Sequence, residues 1–146
     1  LTQVDFYQLG HDPVEKAVAG IAENVLRNGG RLLVVADDPD RRERISAALW
    51  SAGPESWLAN DQADAPLPQV QPILLSGSCD AANAARYIAL ADGHWREAAL
   101  AFDRAFYLFD DATLDEARAA WRALSRNEAV KPRFWRQEGG KWRAGP

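Results

Sequence analysis

The 146-residue sequence contains no methionine, a single cysteine (Cys79) and only two histidines, His11 and His94. One cysteine cannot close an internal disulfide, so a reducing compartment is expected. No run of 18 apolar residues is present, which removes the simplest transmembrane helix and any membrane partner from consideration. Residues 1–20 lack the basic-then-apolar layout of a secretory signal, so the cytoplasm is the expected location. Glycine-rich phosphate loops are missing too. Neither G-x-G-x-x-G nor G-x-x-x-x-G-K-[ST] occurs, and the first strand-to-helix turn, "QLGHDPV", holds one glycine. Side chains there obstruct the close backbone approach that phosphates need. No cofactor is expected.

Charge of one sign does not dominate. The formal net charge is −4, which argues against a protein that binds nucleic acid over its whole surface. Its distribution is uneven: residues 1–125 carry 11 basic and 19 acidic side chains, whereas residues 126–146 carry six basic and two acidic ones. A basic end on an acidic body suits a local anionic ligand, or is simply a solvated face that happens to be basic.

What is there alternates between strand-like and helix-like stretches. "TQVDFYQL" (2–9) reads as a strand with Val4 and Phe6 on one side. Asp12 as N-cap and Pro13 in the first turn predict a helix through Leu26, closed by Gly29-Gly30. "RLLVVA" (31–36) has the continuous apolar character of a strand buried on both faces. A second helix follows an Asp-Pro start and ends at Trp50. "SWLAN" (56–60) is a candidate strand, and residues 61–72, with three prolines, read as loop. "ILLS" (73–76) and "RAFYLF" (104–109) are strands, "ARYIALAD" (85–92) fits strand or helix tail, and "WREAALAF" (95–102) fits a short helix. A helix capped near Asp111 or Thr113 precedes a hairpin in "PRFWRQEGGKWRA" that turns at Gly139-Gly140. The expected architecture is α/β: a single three-layer domain over residues 1–146 with a central mixed, largely parallel sheet, Rossmann-like without a nucleotide-binding loop.

No catalytic constellation emerges. Asp37 and Asp38, after the second strand, could bind a ribose, but without the glycine turn a helix-capping role fits better. His11, His94 and Cys79 have no metal-ligand spacing. Cys79 follows "SGS" near a possible helix start, yet no basic partner is evident. Asp110-Asp111 fall at a helix start, where the dipole accounts for them. A binding role is therefore expected, with no enzymatic site and no metal.

Several stretches together carry a resemblance: "FYQL", "RLLVVADD…ALW", "RAFYLFDD", "ARAAWRAL" and the terminal "GGKW". In this order and spacing the chain resembles the chi subunit of bacterial DNA polymerase III. The resemblance implies a nucleotide-binding-like α/β fold without a nucleotide site, and an accessory role in the replicative holoenzyme. It implies two partners, the psi subunit of the clamp-loader complex and the acidic C-terminal tail of single-stranded DNA-binding protein. On a helix starting near Thr113, Ala117, Trp121 and Leu124 share one face, Leu114 and Ser125 lie at its margin, and Arg118 and Arg122 flank it. Pattern alone also allows Trp121 to be ordinary core with solvated arginines beside it. With the resemblance, Arg118, Trp121, Arg122 and Leu114 become the expected tail site. Where chi proteins with a well-described site carry a lysine, this chain has Leu114, so Arg126 or the basic C-terminal segment is expected to supply the missing cation. The resemblance likewise makes Trp50, Trp57 and Leu58 the expected psi contact. The alternative is direct single-strand binding through "KPRFWRQEGGKWRA", whose cations alternate with Phe134, Trp135 and Trp142; contact with nucleic acid is otherwise expected to be mostly indirect.

Overall fold

The computed structural model of the chain describes residues 1–53 and 58–145. Among these lie β1 (Thr2–Gln8), α1 (Val14–Arg27), β2 (Leu32–Val35), α2 (Pro39–Trp50), β3 (Asn60–Gln62), β4 (Ile73–Ser76), β5 (Tyr87–Leu90), β6 (Arg104–Phe109), α3 (Leu114–Ser125), β7 (Val130–Glu138) and β8 (Lys141–Ala144). All strands join one sheet in the order β3-β4-β2-β5-β6-β1-β7-β8. Every pairing is parallel except the β7–β8 hairpin. The sheet is thus mixed and largely parallel, as the alternation of apolar runs and amphipathic helices predicts.

Two cores sit on the two faces of this sheet. Val18, Ile21 and Val25 of α1 and Ile45 and Leu49 of α2 pack with Leu32, Val34, Ile73 and Phe106. Ala117, Ala120 and Leu124 of α3 belong to the opposite core, with Val4, Phe6, Leu33, Ile88, Leu90 and Phe109. β2, Leu-Leu-Val-Val, is buried at every position because both layers cover it. β1 obeys the two-residue alternation of a strand: Val4 and Phe6 face α3, whereas Asp5 and Tyr7 face the α1 side. Asp5 is fully buried. Its carboxylate accepts from Arg104 Nε at 2.5 Å, Gln3 Nε2 at 3.1 Å and Trp135 Nε1 at 3.2 Å, which offsets its loss of water.

Several boundaries differ from the sequence expectation for local reasons. Pro13, not Asp12, is the N-cap of α1. The Asp12 carboxylate instead accepts from Gln137 Nε2 at 2.9 Å and pairs with Lys16 at 3.2 Å, tying the helix start to β7. Asp38 does cap α2, accepting from the Asp40 amide at 2.9 Å. Residues 87–90 form a strand because β2 and β6 flank them. β3 begins only at Asn60 and reaches Gln62, inside the stretch expected as loop; Ser56 and Trp57 lie outside the described residues. The expected helix at 95–102 is a 3₁₀ turn, Glu97–Ala101. Gly139 and Gly140 both have positive φ, 58° and 77°, the backbone that a two-residue hairpin turn demands.

Candidate functional site

The start of α3 is fixed by a set of interlocking contacts. Asp110 and Thr113 form a capping box, with the Asp110 carboxylate accepting from the Thr113 amide at 3.2 Å. Gly93, with φ of 78°, lies so close to Thr113 that an added Cβ would come within 2.6 Å of three of its side-chain atoms. Glu116, one turn further on, accepts from the Trp95 amide at 2.6 Å and meets His94 Nδ1 at 3.1 Å. That hydrogen bond to Glu116, working against partial desolvation, raises the His94 pKa above its ordinary 6.5. The loop after β5 thereby sets where α3 crosses the sheet.

Helix α3 lies beside β7, and a groove of about 500 Å³ runs between them. Its floor is apolar: Phe109 from β6, Phe134 and Pro132 from β7, and Trp121, Ala117 and Leu114 from the helix. The Trp121 ring centroid is 5.0 Å from that of Phe6 and 5.8 Å from that of Phe134, both edge-to-face, and the indole is half-buried. Arg118 and Arg122 are exposed along the helix wall, and Gln8, Arg133 and Gly145 complete the margin. Neither arginine makes an ion pair with a described carboxylate. An open aromatic cleft with unpaired guanidinium groups on one wall can receive an aromatic side chain and a carboxylate together.

The expected residues are thus distributed as follows. Arg118, Trp121, Arg122 and Leu114 all line the groove, whereas Arg126 is exposed at the helix C-cap and is not part of the lining. Ser125 is exposed, and Ala120 takes its place beside the buried stripe; Trp121 moves from the centre of the stripe to its edge. Sequence reading overlooked Gln8, Phe109 and Gly145, and it placed Phe134 in a nucleic-acid segment. The signal was the alternation in β7, which puts Pro132, Phe134 and Arg136 on the face shared with Phe6. Across the hairpin Arg143 is in register with Arg136 on that face, so two further cations stand beyond the groove. Glu138 pairs with both, at 2.9 Å and 3.8 Å.

Of the residues expected to meet psi, Trp50 is 59% exposed and Leu58 only 3%. Leu58 packs with Leu49 and Ile45 in the core under α2, so its side chain offers no outer surface. Trp57 lies outside the described residues. Trp50 ends α2, and the other exposed large apolar side chains among the described residues include Leu67 and Val70, in the connection between β3 and β4. Leu67 is held at φ of 60°, a backbone conformation that costs a leucine about 1 kcal/mol or more.

In open parallel sheets, ligands sit at the carboxyl ends of strands where the order reverses. Here those ends of β2 and β5 are filled by the chain's own ion pairs. Arg96 donates to both Asp92 oxygens and to Asp37, each at 2.9 Å, and the Asp37 amide donates to Asp92 at 2.9 Å. Burial opposes ionisation of Asp92, but the bonds from Arg96 and the Asp37 amide outweigh it and hold its pKa below the usual carboxylate value. Asp37 therefore pairs with arginine rather than capping α2. Among the described residues, Asp37, Asp92 and His94 form the one cluster of potential metal ligands; His11 and Cys79 are not in it. Arg96 already supplies the cation between its two carboxylates. Burial pushes the Cys79 thiol pKa up, away from thiolate chemistry.

Fold and groove together define an α/β module organised around an apolar, arginine-edged cleft rather than around a nucleotide loop. The chain belongs to the DNA polymerase III chi subunit family: the family model described as "DNA polymerase III chi subunit, HolC" matches residues 1–130. No curated protein sequence matches it. Membership gives the chain an accessory role in DNA replication, within the polymerase III complex and among its protein subunits. The matched span ends where β7 begins, so the helix wall of the groove lies inside it, and Pro132, Phe134 and Gly145 lie outside. No helix among the described residues is long and apolar enough to cross a membrane.

Proposed function

We propose that this chain acts as one non-catalytic unit that links the clamp-loader complex, through psi, to the acidic C-terminal tail of single-stranded DNA-binding protein. The observation that carries the reading is the groove: a half-buried Trp121 over Phe6 and Phe134, with Arg118 and Arg122 unpaired among described groups along one wall. A tail ending in an aromatic residue and a free carboxylate would seat its ring on Trp121 and Phe134. Arg118 would take the carboxylate through two parallel N–H···O bonds. Leu114 widens the apolar floor where the resemblance leads one to expect a lysine. Upstream aspartates would then meet Arg122, with Arg126 a further turn along the helix.

The magnitudes agree with a weak, replaceable contact. A partly desolvated carboxylate bond contributes about 1.5–3 kcal/mol, and burying one ring adds about 1.5–3 kcal/mol. After ordering costs, micromolar affinity, about −8 kcal/mol, is the ceiling for a contact of this size. For psi, Trp50 with Leu67 and Val70 is the surface we assign, since tryptophan loses much area to a partner at small entropic cost. The setting is the bacterial cytoplasm.

Calorimetry with an acidic peptide ending in phenylalanine tests the tail reading. Arg118→Ala weakens binding by at least about tenfold, about 1.4 kcal/mol, and leaves the melting temperature nearly unchanged because the side chain is exposed. Unaltered affinity in that variant would retire the reading.

A further inference from the structure

We propose that the opposite face of the outer sheet is a second binding site, for single-stranded nucleic acid. Alternation in β7 turns the side chains of Lys131, Arg133 and Trp135 toward the α1 side, although Arg133 also borders the peptide groove. There Tyr7 stacks on Trp135, centroids 6.4 Å apart and planes 16° apart, and meets Trp142 edge-on at 4.8 Å. The Arg133 guanidinium lies 5.3 Å from the Trp135 ring. Neither Lys131 nor Arg133 pairs with a described carboxylate. The one acidic group beneath them, Asp5, is fully buried and answered by Arg104. The face is therefore cationic and aromatic although the whole chain is acidic.

A furrow runs beside these rings along α1. Two hollows of about 230 and 120 Å³ share Tyr7, Ile21 and Asn24 and together follow the helix from Lys16 to Asn28, about 18 Å. The wall carries Asn24 and Asn28, whose side chains are partly engaged by Arg27 and by the Asn24 carbonyl, and its one carboxylate among the lining residues, Asp12, is held by Lys16 and Gln137. Gly20 lies in the middle of that wall. A glycine inside a helix weakens it relative to alanine, yet a Cβ at Gly20 would meet nothing within 4 Å. Internal packing gives no reason for the glycine. It leaves the wall flat opposite Trp142, where a base can enter.

Rings for stacking and cations for phosphates are the components by which single strands are held without sequence preference. A peptide added to the outer edge of β8 would use that strand's backbone and leave the stacked rings and the furrow unoccupied. The rings and Lys131 belong to this site alone and Arg118 to the peptide groove alone, while Arg133 borders both, so Arg118→Ala separates the two.

Fluorescence anisotropy with a labelled oligothymidylate of about 15 nucleotides tests the proposal on the full chain. Saturable binding is expected at low salt, weakening with a log–log slope of about −1.4 for two phosphate contacts. The double variant Lys131→Glu/Arg133→Glu loses at least about tenfold in affinity, and Gly20→Leu also weakens binding, with circular dichroism unchanged in both. Arg118→Ala leaves oligonucleotide binding intact. Absence of binding by the wild-type chain at low salt overturns the proposal. So does undiminished binding by the charge-reversed variant, or loss of binding in Arg118→Ala.

Discussion

At Trp121 an indole is wedged edge-on between Phe6 and Phe134 while part of it lines the open groove. Its placement could be read in the sequence only as a choice between core and margin, because a helical period of about 3.6 residues leaves the centre of the stripe uncertain. Ala120 settles that choice: its small side chain is buried in the core, which rotates Trp121 outward. Leu58 shows the reverse case, a residue next to a turn that the core claims. His94 yields a residue-scale test. Its pKa is raised above 6.5, first by the hydrogen bond to Glu116, so the protonated contact is fully present below pH 6.5 and is lost as pH rises through the folded-state value. Titration of the His94 ring by proton NMR should give a midpoint above 6.5, returning toward it in Glu116→Gln. A midpoint at or below 6.5 in the wild type contradicts the contact.

Among the elements, the sheet's inner strands and the hairpin were legible because their signals are local: continuous apolar runs for β2, β4 and β6, and Gly139-Gly140 for the turn. The start of α1 was not, since Asp12 is drawn to Gln137, 125 residues away in sequence. Nor was the Asp37–Arg96–Asp92 network visible, as it joins the ends of β2 and β5 through the fold. Arg96→Met leaves Asp92, 7% exposed at its side chain, without its cation. Urea denaturation at pH 7 should then show a loss of about 2 kcal/mol or more. In the wild type, the depressed Asp92 pKa means that this stability is present above the ordinary carboxylate value and is lost as pH falls through the folded-state one. A change below about 0.5 kcal/mol, the level of an inert surface substitution, would show the network to be incidental.

Over the whole molecule, the charge asymmetry of the sequence gains meaning from topology. The basic C-terminal segment adds β7 and β8 to the sheet beyond β1, so its alternating cations are shared between two faces. Arg136 and Arg143 lie on the α3 face, paired with Glu138, while Lys131 and Arg133 lie on the α1 face, Arg133 also bordering the α3 groove. Composition showed that a basic end existed; pairing in register decided which face of the sheet each cation joins. The family match covers the strands and helices through α3, while the hairpin that completes both faces follows it.

Chemical-shift mapping of the isotope-labelled chain with an acidic peptide ending in phenylalanine, free or amidated at its C-terminus, tests the central claim most directly. The free-acid peptide should shift the Trp121 indole, the Arg118 side chain and the Phe134 and Gly145 amides. Amidation should weaken binding by about tenfold or more, the loss of one charge-assisted carboxylate contact. Shifts confined to other surfaces, or equal affinity for the two peptides, would contradict it.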